Sequence, residues 1–460
     1  MLDTLRWDAD LIRRYDLAGP RYTSYPTAVQ FHDGVGPFDL LHALRDSAQA
    51  RRALSLYVHL PFCAHICYYC ACNKVITKDR GRSALYLQRL QQEMSQVARH
   101  LDRAQVVEQL HFGGGTPTFL SHDELRQLMT DLRQHFHLLD DDGGDYSIEI
   151  DPREADWATM GLLRDIGFNR VSLGVQDFDP AVQRAVNRLQ SLEETRAIVE
   201  AARTLQFRSI NLDLIYGLPL QSPDSFARTV EEVIALQPDR LSVFNYAPLP
   251  ERFPPQRRIN ADDLPSPGAK LEMLQRTIEQ LSAAGYRYIG MDHFALPDDE
   301  LAIAQEDGSL QRNFQGYTTH GHCDLIGLGV SSISQIGDLY CQNSNDLNDY
   351  QGSLGNGQLA TRRGLHCNAD DRIRRAVIQQ LICHFQLDFV AIEQQFAIDF
   401  KAYFAELWPQ LQACAADGLI RLDERGIEIN PAGRLLVRSV CMLFDHYLPL
   451  QSTQRFSRVI

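Results

Sequence analysis

Hydrophobic and polar positions follow two different periods along residues 54–250. Six short runs rich in β-branched and aromatic residues have the composition of strands, and stretches between them carry apolar residues at helical spacing. The strand-like runs are LSLYVHLPF, QLHFGGG, YSIEID, RVSLGVQ, SINLDLIYGLP and RLSVFNYAPLP. The helical stretches include RSALYLQRLQQEMSQVARHL, SHDELRQLMTDLRQHF and PDSFARTVEEVIAL. Six β/α units in series predict a parallel sheet with right-handed helical crossovers.

This alternation predicts a partial (β/α)6 TIM-like barrel. A doubly wound nucleotide-binding fold is disfavoured because no GxGxxG motif follows the first strand. Two later apolar segments, YRYIGMDHFAL and LIGLGVSSISQIG, are expected to extend the sheet. The domain prediction is an N-terminal extension over the active site (1–50), the barrel with its sheet extension (51–365) and a mostly helical C-terminal domain (366–460).

The C-terminal domain has one further recognisable pattern. The segment LIRLDERGIEINPAGRLLVRSVCMLF predicts a short hairpin followed by a helix, as in a winged-helix arrangement. Winged helices often bind DNA, but 45 basic against 59 acidic residues give this chain a formal charge of -14. That charge disfavours nucleic acid and anionic lipid as partners, so a packing or lid role is favoured.

Nothing in the sequence predicts membrane insertion or secretion. No run approaches the ~20 apolar residues that cross a bilayer, and the N-terminal MLDTLRWDADLIRRYD has no apolar signal region. The chain is therefore expected to be cytoplasmic. In a reducing cytosol six scattered cysteines are expected to be free thiols, namely Cys323, Cys341, Cys367, Cys383, Cys414 and Cys441.

The other four cysteines lie together in PFCAHICYYCACNK, directly after the first strand: Cys63, Cys67, Cys70 and Cys72. Zinc sites usually combine two ligand pairs from separate turns. Three thiolates on one loop suit a [4Fe–4S] cluster better, and they would leave one iron open to an outside ligand. A fourth thiolate on that iron, such as that of Cys72, would close the open position. Structural zinc and four free thiols are the alternatives.

Other chemically distinctive residues follow neighbouring strands. They are the glycine run in HFGGGTPTF, then Glu149 and Asp151, then Gln176 and Asp177. The carboxyl ends of parallel barrel strands meet at one edge, so these groups and the cysteines should share a site. Consecutive glycines also let a ligand approach the backbone closely.

The CxxxCxxC spacing, the aromatic Tyr69 before the third cysteine and the glycine motif together resemble the radical S-adenosylmethionine enzymes. In that superfamily the open iron is chelated by the amino and carboxylate groups of S-adenosylmethionine. An electron from the cluster then cleaves it to methionine and a 5′-deoxyadenosyl radical.

A narrower resemblance extends from about residue 19 to residue 460. It rests on GPRYTSYPTA, SLYVHLPFC, CYYCACNK, FGGGTPT, SIEIDPRE, GFNRVSLGVQDF, NLDLIYGLP, DRLSVFNYAPLP, GMDHFALPDDELA, RNFQGYTT and QRFSRVI. Together these motifs resemble the oxygen-independent coproporphyrinogen III oxidases (coproporphyrinogen dehydrogenases).

The resemblance implies an oxidoreductase of haem (porphyrin) biosynthesis. It would decarboxylate two propionate side chains of coproporphyrinogen III to vinyl groups, giving protoporphyrinogen IX. A propionate β-carbon carries an unactivated C–H bond that no side-chain base can deprotonate, so a radical suits the task. The implied partners are the substrate, a flavodoxin or ferredoxin system as electron donor, and an unknown electron acceptor; the chain is expected to be a monomer.

The resemblance also implies roles for individual residues, carried over motif by motif. The cluster ligands would be Cys63, Cys67 and Cys70. A first S-adenosylmethionine would contact Tyr57, Gly114, Glu149 and Ile333. A second would contact Tyr69, Gly115, Thr116, Gln176, Arg188, Asp213 and Ala247. The groups implied in catalysis are Cys72, Tyr57 and Glu149.

Charge supports part of this assignment. Glu149 and Asp213 can accept from ribose hydroxyls or an ammonium, and Arg188 can fork onto a carboxylate. From residue type alone, Glu149 is more often a solvated loop charge, and Ala247 and Ile333 would be core residues. The substrate's carboxylates need basic groups, and the candidates are Arg21, Arg252, Arg257 and Arg258.

Two other functions and one further metal site are possible alternatives from the sequence. A related haem chaperone keeps the cluster loop, but it typically lacks the Cys72 equivalent and carries HNxxYW, which is absent here. A cluster-bearing electron-transfer or DNA-binding regulator would leave the glycine motif unexplained. His320, His322 and Cys323 in THGHCDLIG are not expected to form a second metal site.

Overall fold

The structure is a computed structural model that describes residues 5–448. The C-terminal motif QRFSRVI, which contributes to the resemblance, lies outside the described residues. No helix in the described range combines the length and the apolar character that a membrane span requires.

Helices and strands alternate through most of the described chain. The helices are α1 (Ala9–Tyr15), α2 (Pro37–Ala50), α3 (Arg82–Ala98), α4 (His122–His135), α5 (Trp157–Asp165), α6 (Pro180–Ala185), α7 (Leu192–Thr204), α8 (Pro223–Ala235), α9 (Pro267–Ala283), α10 (Glu300–Asp307), α11 (Leu347–Gly355), α12 (Ala369–His384), α13 (Phe389–Phe396), α14 (Phe400–Tyr403), α15 (Trp408–Ala416) and α16 (Val437–Leu443). The strands are β1 (Leu54–Leu60), β2 (Phe62–Cys63), β3 (Val75–Ile76), β4 (Val106–Gly114), β5 (His137–Leu138), β6 (Asp145–Ile150), β7 (Arg170–Gln176), β8 (Ser209–Tyr216), β9 (Arg240–Asn245), β10 (Arg287–Gly290), β11 (His293–Ala295), β12 (Gln311–Asn313), β13 (Gly316–Thr318), β14 (Asp324–Leu328), β15 (Ile333–Ile336), β16 (Leu339–Asn343), β17 (Thr361–His366), β18 (Gln386–Asp388), β19 (Ile420–Leu422) and β20 (Gly426–Ile429).

The contacts divide the chain into two compact units. The barrel unit contains residues 31–284 and 322–366, and the second unit contains, within the described range, residues 5–30, 285–321 and 367–448. The domain boundaries at residues 50 and 365 remain predictions.

The barrel unit is built on a parallel sheet. Its strand order is β9–β8–β7–β6–β4–β1–β14, and every neighbouring pair in this run is parallel. The six predicted strands are β1, β4, β6, β7, β8 and β9, so the six β/α units are confirmed. The segment 325–337 extends the sheet as predicted, because β14 is followed by antiparallel β15, β16 and β17. In the described chain the strands form an open path, so the barrel is partial, not closed.

The two faces of this sheet differ in polarity. Alternate residues point to opposite faces of a strand, and one face carries the buried apolar set of β1, β4 and β6, such as Leu56, Phe112 and Ile148. The other face carries a polar network in which Ser55 donates to Gln109 and His111 lies 2.6 Å from Ser147. This polar row continues along β6 to Glu149, which lies next to the carboxyl end of that strand, where the candidate site is expected.

Local signals position the outer helices. Helix α4 begins after Ser121, whose side chain accepts from the backbone of Glu124 while the Glu124 carboxylate accepts from the Ser121 N–H. Helix α7 begins with the same reciprocal pair, Ser191 and Glu194. These caps fix where each crossover helix starts. They therefore limit the length of the loop that joins the carboxyl end of the preceding strand to that helix.

The second unit confirms the mostly helical C-terminal prediction. Hairpin β19–β20 is followed by α16, and β18 completes a three-stranded antiparallel sheet in the order β18–β20–β19. Its core contains Phe389 stacked on Phe400, with ring centroids 4.1 Å apart. Residues 286–296 form the antiparallel pair β10–β11.

Candidate active site

The cysteine loop is closed at its base by two short parallel strands. In β2 and β3, Phe62 lies opposite Val75 and Cys63 opposite Ile76. Within the loop, the Cys70 N–H donates to the Cys67 carbonyl at 3.3 Å, which makes a tight turn. Lys74 Nζ donates to the carbonyls of Cys70 and Cys72 at 3.1 and 3.3 Å. The first three cysteines are thus held on one short, hydrogen-bonded loop.

The four thiols differ in environment. Cys67 is buried, Cys63 and Cys70 are half-buried and Cys72 is exposed. Burial raises the pKa of Cys63 to about 11. A hydrogen bond from the Cys72 thiol lowers the pKa of Cys70 to about 6, and the same contact raises the pKa of Cys72. Cys72 therefore lies beside a predicted ligand, and whether it is itself a ligand remains a prediction.

The glycine motif packs against the start of the cysteine loop. The Gly115 N–H donates to the Leu60 carbonyl at 2.8 Å, and the Thr116 N–H donates to the Phe62 carbonyl at 2.8 Å. A Cβ on Gly115 would lie 2.6 Å from the Phe62 carbonyl oxygen. Gly114 has φ of +113°, and a Cβ there would lie 2.6 Å from the His59 ring. Glycine is needed at both positions, for space at Gly115 and for backbone conformation as well at Gly114.

Glu149 ends the polar row beside this motif. Its Oε2 accepts from the Gly114 N–H at 3.2 Å, and its Oε1 lies 3.3 Å from His111 Nε2. Burial alone would raise the pKa of Glu149, but the hydrogen bonds from His111 and Gly114 outweigh it, so the pKa is lowered. Tyr57 stacks on His111 at 5.9 Å, and its hydroxyl lies 3.1 Å from Nδ1 of His59. The site therefore holds an ionised carboxylate next to two rings.

A buried charge network lies on the other side of Cys67. Arg153 donates to both oxygens of Asp151, at 3.0 and 2.7 Å, and Arg188 Nη1 donates to Asp151 Oδ2 at 3.0 Å. The same two guanidiniums point at the Cys67 sulfur, from 3.8 and 3.6 Å. Burial alone would raise the pKa of Asp151, but Arg188 and Arg153 lower it overall. Two cations are thus fixed beside one predicted cluster ligand.

This network predicts a stability effect. Asp151→Asn should lower the free energy of unfolding at pH 7 by about 3 kcal/mol or more, because two buried guanidiniums lose their carboxylate. The lowered pKa means that the carboxylate stabilises the fold above its unfolded pKa of ~3.9 and loses this effect as the pH falls through the folded value. Denaturant titration of wild type and variant should therefore give the same difference at pH 6 and pH 8. A difference below about 1 kcal/mol at both would contradict the network's role.

Residues at the ends of β7, β8 and β9 complete the edge. Asp213 accepts from Asn211 and Ser172 at 2.8 and 3.1 Å, and burial followed by the charge of Glu149 raises its pKa to about 6. Gln176 adopts a left-handed φ of +69°. Such strain at a non-glycine residue is typical of functional sites.

Several buried polar atoms at this edge have no hydrogen-bond partner in the described chain. They are Gln176 Oε1, Arg188 Nε, Asn245 Oδ1 and the Tyr246 hydroxyl. Tyr69 packs against the cluster of Val182, Val186, Leu218 and Tyr246. Buried polar groups are nearly always paired in folded proteins, so this part of the edge has the chemistry of a site for a polar ligand.

The structure brings most of the predicted site residues to the same edge of the barrel unit. Ile333 begins β15 and Ala247 follows β9, both half-buried. The predicted arginines are more dispersed. In the barrel unit Arg252 lies over Phe253, Arg257 donates to the Pro250 carbonyl, and Arg258 lies 5.4 Å from the ring of Tyr68 in the cysteine loop. Arg21 belongs to the second unit, where it pairs with Asp292.

The loop with two histidines and a cysteine has an unexpected neighbour. His322 Nε2 lies 2.7 Å from Glu108 Oε2, and the Cys323 thiol donates to the same oxygen at 3.6 Å. These three ligand atoms lie within 4.8 Å of one another, and His320 is not among them. Hydrogen bonds and an ion pair among the three account for this arrangement.

Sequence reasoning missed four polar neighbours of the site: His59, His111, Lys74 and Arg153. The two-residue period of side chains in a strand could have indicated the two histidines, which lie on β1 and β4; His59, for example, is two residues from Tyr57 and points to the same face. Arg153 and Lys74 lie outside the strands, where side chains follow no such period.

The comparisons with known proteins agree with this geometry. Residues 57–233 match the family model "Radical SAM superfamily", and residues 368–436 match "HemN C-terminal domain". An oxygen-independent coproporphyrinogen III oxidase of Pseudomonas aeruginosa is 81% identical over 460 residues and 100% of both chains. One from Salmonella typhimurium is 51% identical over 99% of this chain and 98% of the relative. The solved structure of coproporphyrinogen III oxidase from Escherichia coli, a radical SAM enzyme by its description, shares 49% identity and a TM-score of 0.92, covering 97% of this chain and 100% of that one.

The fold and the cysteine loop define a radical S-adenosylmethionine enzyme. Within that class, the relatives that match along the whole chain show that this protein belongs to the oxygen-independent coproporphyrinogen III oxidases. The family resemblance drawn from the sequence is therefore confirmed, as is the fold class.

The residues fit the cofactors of this class, a [4Fe–4S] cluster and S-adenosylmethionine. Cys63, Cys67 and Cys70 supply three thiols, and Lys74, Arg153 and Arg188 surround them with positive charge. Cations next to a thiolate favour its charged form, which is the form that ligates iron. The glycine motif and the Glu149 carboxylate provide backbone and acceptor groups beside the loop.

Proposed function

We propose that this chain catalyses the anaerobic oxidative decarboxylation of two propionate side chains of coproporphyrinogen III, giving protoporphyrinogen IX in haem biosynthesis. The observation that carries the proposal is the three-cysteine loop packed against a glycine motif at the carboxyl edge of a partial barrel. A bound cluster with S-adenosylmethionine would supply a 5′-deoxyadenosyl radical, which can take a hydrogen atom from an unactivated carbon.

The chain's own residues would then bind and orient. Cys63, Cys67 and Cys70 would hold the cluster. For the first S-adenosylmethionine, Tyr57, Gly114, Glu149 and Ile333 would line the site. The Glu149 carboxylate is held ionised by His111 and the Gly114 N–H, so it can accept hydrogen bonds from an ammonium or from ribose hydroxyls.

Buried polar atoms without hydrogen-bond partners in the described chain support the proposal that a second S-adenosylmethionine binds here. Gln176 Oε1 and Arg188 Nε are buried without partners in the described chain, and an α-amino acid with an adenosine group could pair with both. Asp213, with its pKa raised to about 6, would be ionised more readily once a ligand ammonium lay nearby. Tyr69, Gly115, Thr116 and Ala247 would complete this second site.

The role of Glu149 can be tested directly. Glu149→Gln keeps the shape of the side chain but removes its charge, so it should lower the rate of reductive S-adenosylmethionine cleavage by about tenfold to a hundredfold, the value of a hydrogen bond to a charged group. The readout is 5′-deoxyadenosine formed under dithionite, with iron content measured alongside. Glu279→Gln, the same substitution at an exposed carboxylate on α9, is the comparison variant and should leave the cleavage rate unchanged. An unchanged cleavage rate in Glu149→Gln would refute the assignment.

The reaction itself is tested with reconstituted protein under anaerobic conditions, given a reductant, S-adenosylmethionine and coproporphyrinogen III. Formation of protoporphyrinogen IX supports the proposal. Tight haem binding with no decarboxylation would move the chain to the haem chaperones, whose HNxxYW segment it lacks.

The remaining assignments are also proposals. We infer a cytoplasmic monomer in which a flavodoxin or ferredoxin system would reduce the cluster, while the electron that the substrate radical loses on decarboxylation would go to an acceptor of unknown identity. The net charge of -14 supports the absence of nucleic acid and anionic membranes as partners. The N-terminal extension, with its GPRYTSYPT segment, would cover the active site.

A further inference from the structure

Four arginines form a cluster in the second unit, and the sequence indicates a substrate role for only one of them, Arg21. This arginine cluster consists of Arg21, Arg312, Arg434 and Arg438. The Arg438 guanidinium donates to the two carbonyls that directly precede Arg21 in the chain, those of residues 19 and 20. Burial and the charges of Arg21 and Arg312 together lower the pKa of Arg438 to about 10, although Asp292 opposes them. Tyr288 interacts electrostatically with Asp292, Arg312, Arg434 and Arg438.

The cluster is buried except at one point. Arg312, Arg434 and Arg438 are each at most 8% exposed, whereas the Arg21 side chain is 39% exposed and pairs with Asp292. Three guanidiniums therefore lie beneath the surface, and the half-buried Arg21, paired with Asp292, is the arginine of the cluster that solvent reaches most. Burying positive charge is costly unless a negative group compensates it.

Arg312 shows most directly that an anion belongs here. Its Nε and Nη1 are buried and have no hydrogen-bond partner in the described chain. The residue is also rigidly held. Its N–H donates to Gln379 Oε1 at 3.1 Å, its carbonyl accepts from Gln379 Nε2, and its guanidinium lies 4.6 Å over the Tyr317 ring. A fixed cation with buried unpaired N–H groups is a preorganised anion receptor.

We propose that the arginine cluster binds a carboxylate of the tetrapyrrole, with Arg312 donating from its unpaired N–H groups and Arg21 meeting the ligand first. This inference rests on the proposed function, because that function supplies a substrate with four propionates. It gives a function to the RNFQGYTT segment, which contains both Arg312 and Tyr317. No residue of this segment is assigned to the iron–sulfur cluster or to S-adenosylmethionine.

The chemistry indicates which carboxylate is bound. In decarboxylation the C–C bond breaks and the carboxylate leaves as neutral CO₂, so its negative charge is lost from that position. A guanidinium stabilises the charged carboxylate more than neutral CO₂, and would therefore raise the barrier for a propionate that it held. The arginine cluster should thus hold a propionate that survives the reaction, and it should bind substrate and product alike.

Removing the Asp292 carboxylate is expected to strengthen ligand binding. Arg21 donates a hydrogen bond to this carboxylate in the structure, so a ligand carboxylate must compete with it for Arg21. Asp292→Asn removes the competitor and should tighten ligand binding by a few fold. A purely structural role for the Arg21–Asp292 pair predicts equal or weaker binding.

The test is an equilibrium fluorescence titration of the holoenzyme with unreactive porphyrins. Coproporphyrin III has four carboxylates, protoporphyrin IX has two, and coproporphyrin III tetramethyl ester has none. Arg312→Gln should weaken binding of both acids by at least about tenfold and leave the ester unchanged, and Arg312→Lys should restore part of the loss. Arg421→Gln, an exposed arginine that pairs with Glu428 in the same unit, is the matched control.

Turnover is measured in parallel to separate the two proposals. With coproporphyrinogen III, Arg312→Gln should raise KM more than it lowers kcat, with the cluster EPR signal and the thermal unfolding midpoint near those of wild type. Equal weakening of acids and ester, an unchanged KM, or tighter binding absent from Asp292→Asn would each overturn the inference while wild-type decarboxylation stands. Wild-type protein that decarboxylates nothing would instead overturn the proposed function.

Discussion

Cys72→Ser should retain about four irons per chain and lose decarboxylation. Three thiolates suffice for the cluster, and a fourth on the open iron would exclude S-adenosylmethionine from it. Cys72 is an exposed residue, and the interaction of its thiol with Cys70 lowers the pKa of Cys70 and, together with burial, raises that of Cys72. Cys72 is therefore close to a predicted ligand. Iron and sulfide analysis with EPR of the reduced protein reports the cluster, and product formation reports activity.

The serine variant has a matched control and a clear contradiction. Cys323→Ser changes a thiol that lies beside Glu108, outside the loop, and should leave both readouts unchanged. Normal activity in Cys72→Ser would show that Cys72 is not needed for decarboxylation. Loss of the cluster in this variant would show that Cys72 is needed to hold it.

Alanine at Cys63, Cys67 or Cys70 should abolish both the cluster and turnover. Each substitution removes one of three ligands from a loop that offers few replacements, so the iron content after reconstitution should fall far below four per chain. Loss of activity should exceed about a thousandfold, since without the cluster no other group in the site can cleave an unactivated C–H bond.

The same iron, sulfide and EPR measurements serve this prediction. Cys67→Ala is the most informative member, because Arg153 and Arg188 would remain beside the vacated position and their charge alone cannot ligate iron. A [4Fe–4S] signal of wild-type intensity in any of the three variants would exclude that residue as a ligand, and Cys72 would then be the candidate to replace it.

Much of the barrel could be predicted because its sequence periods are strong. Strands such as Leu54–Leu60 alternate between an apolar face and a polar face, and the crossover helices begin at Ser-x-x-Glu caps. The prediction that the barrel is partial is also confirmed by the open strand path of the described chain. The strand tilt and the register over the whole sheet, on which closure depends, have no local sequence signal.

Site residues could be predicted where they form a short sequence motif. They could not be predicted where the site depends on contacts between residues far apart in the chain. The cysteine spacing and the glycine run are local patterns. Arg153 and Arg188 converge on Asp151 from separate segments, and only folding brings them to Cys67. The arginine cluster is a stronger case, because Arg21 and Arg438 are far apart in the chain. Even the candidates Arg252 and Arg257 were named from their charge alone, which carries no information about direction.

This site is expected to convert propionates to vinyl groups by a reaction that depends on S-adenosylmethionine. The most direct measurement is the stoichiometry of an anaerobic single-turnover reaction with carboxyl-labelled coproporphyrinogen III. We predict two labelled CO₂ and one protoporphyrinogen IX for each substrate consumed, with methionine and 5′-deoxyadenosine formed in step with CO₂. Substrate binding without CO₂, or CO₂ release that does not require S-adenosylmethionine, would contradict the account.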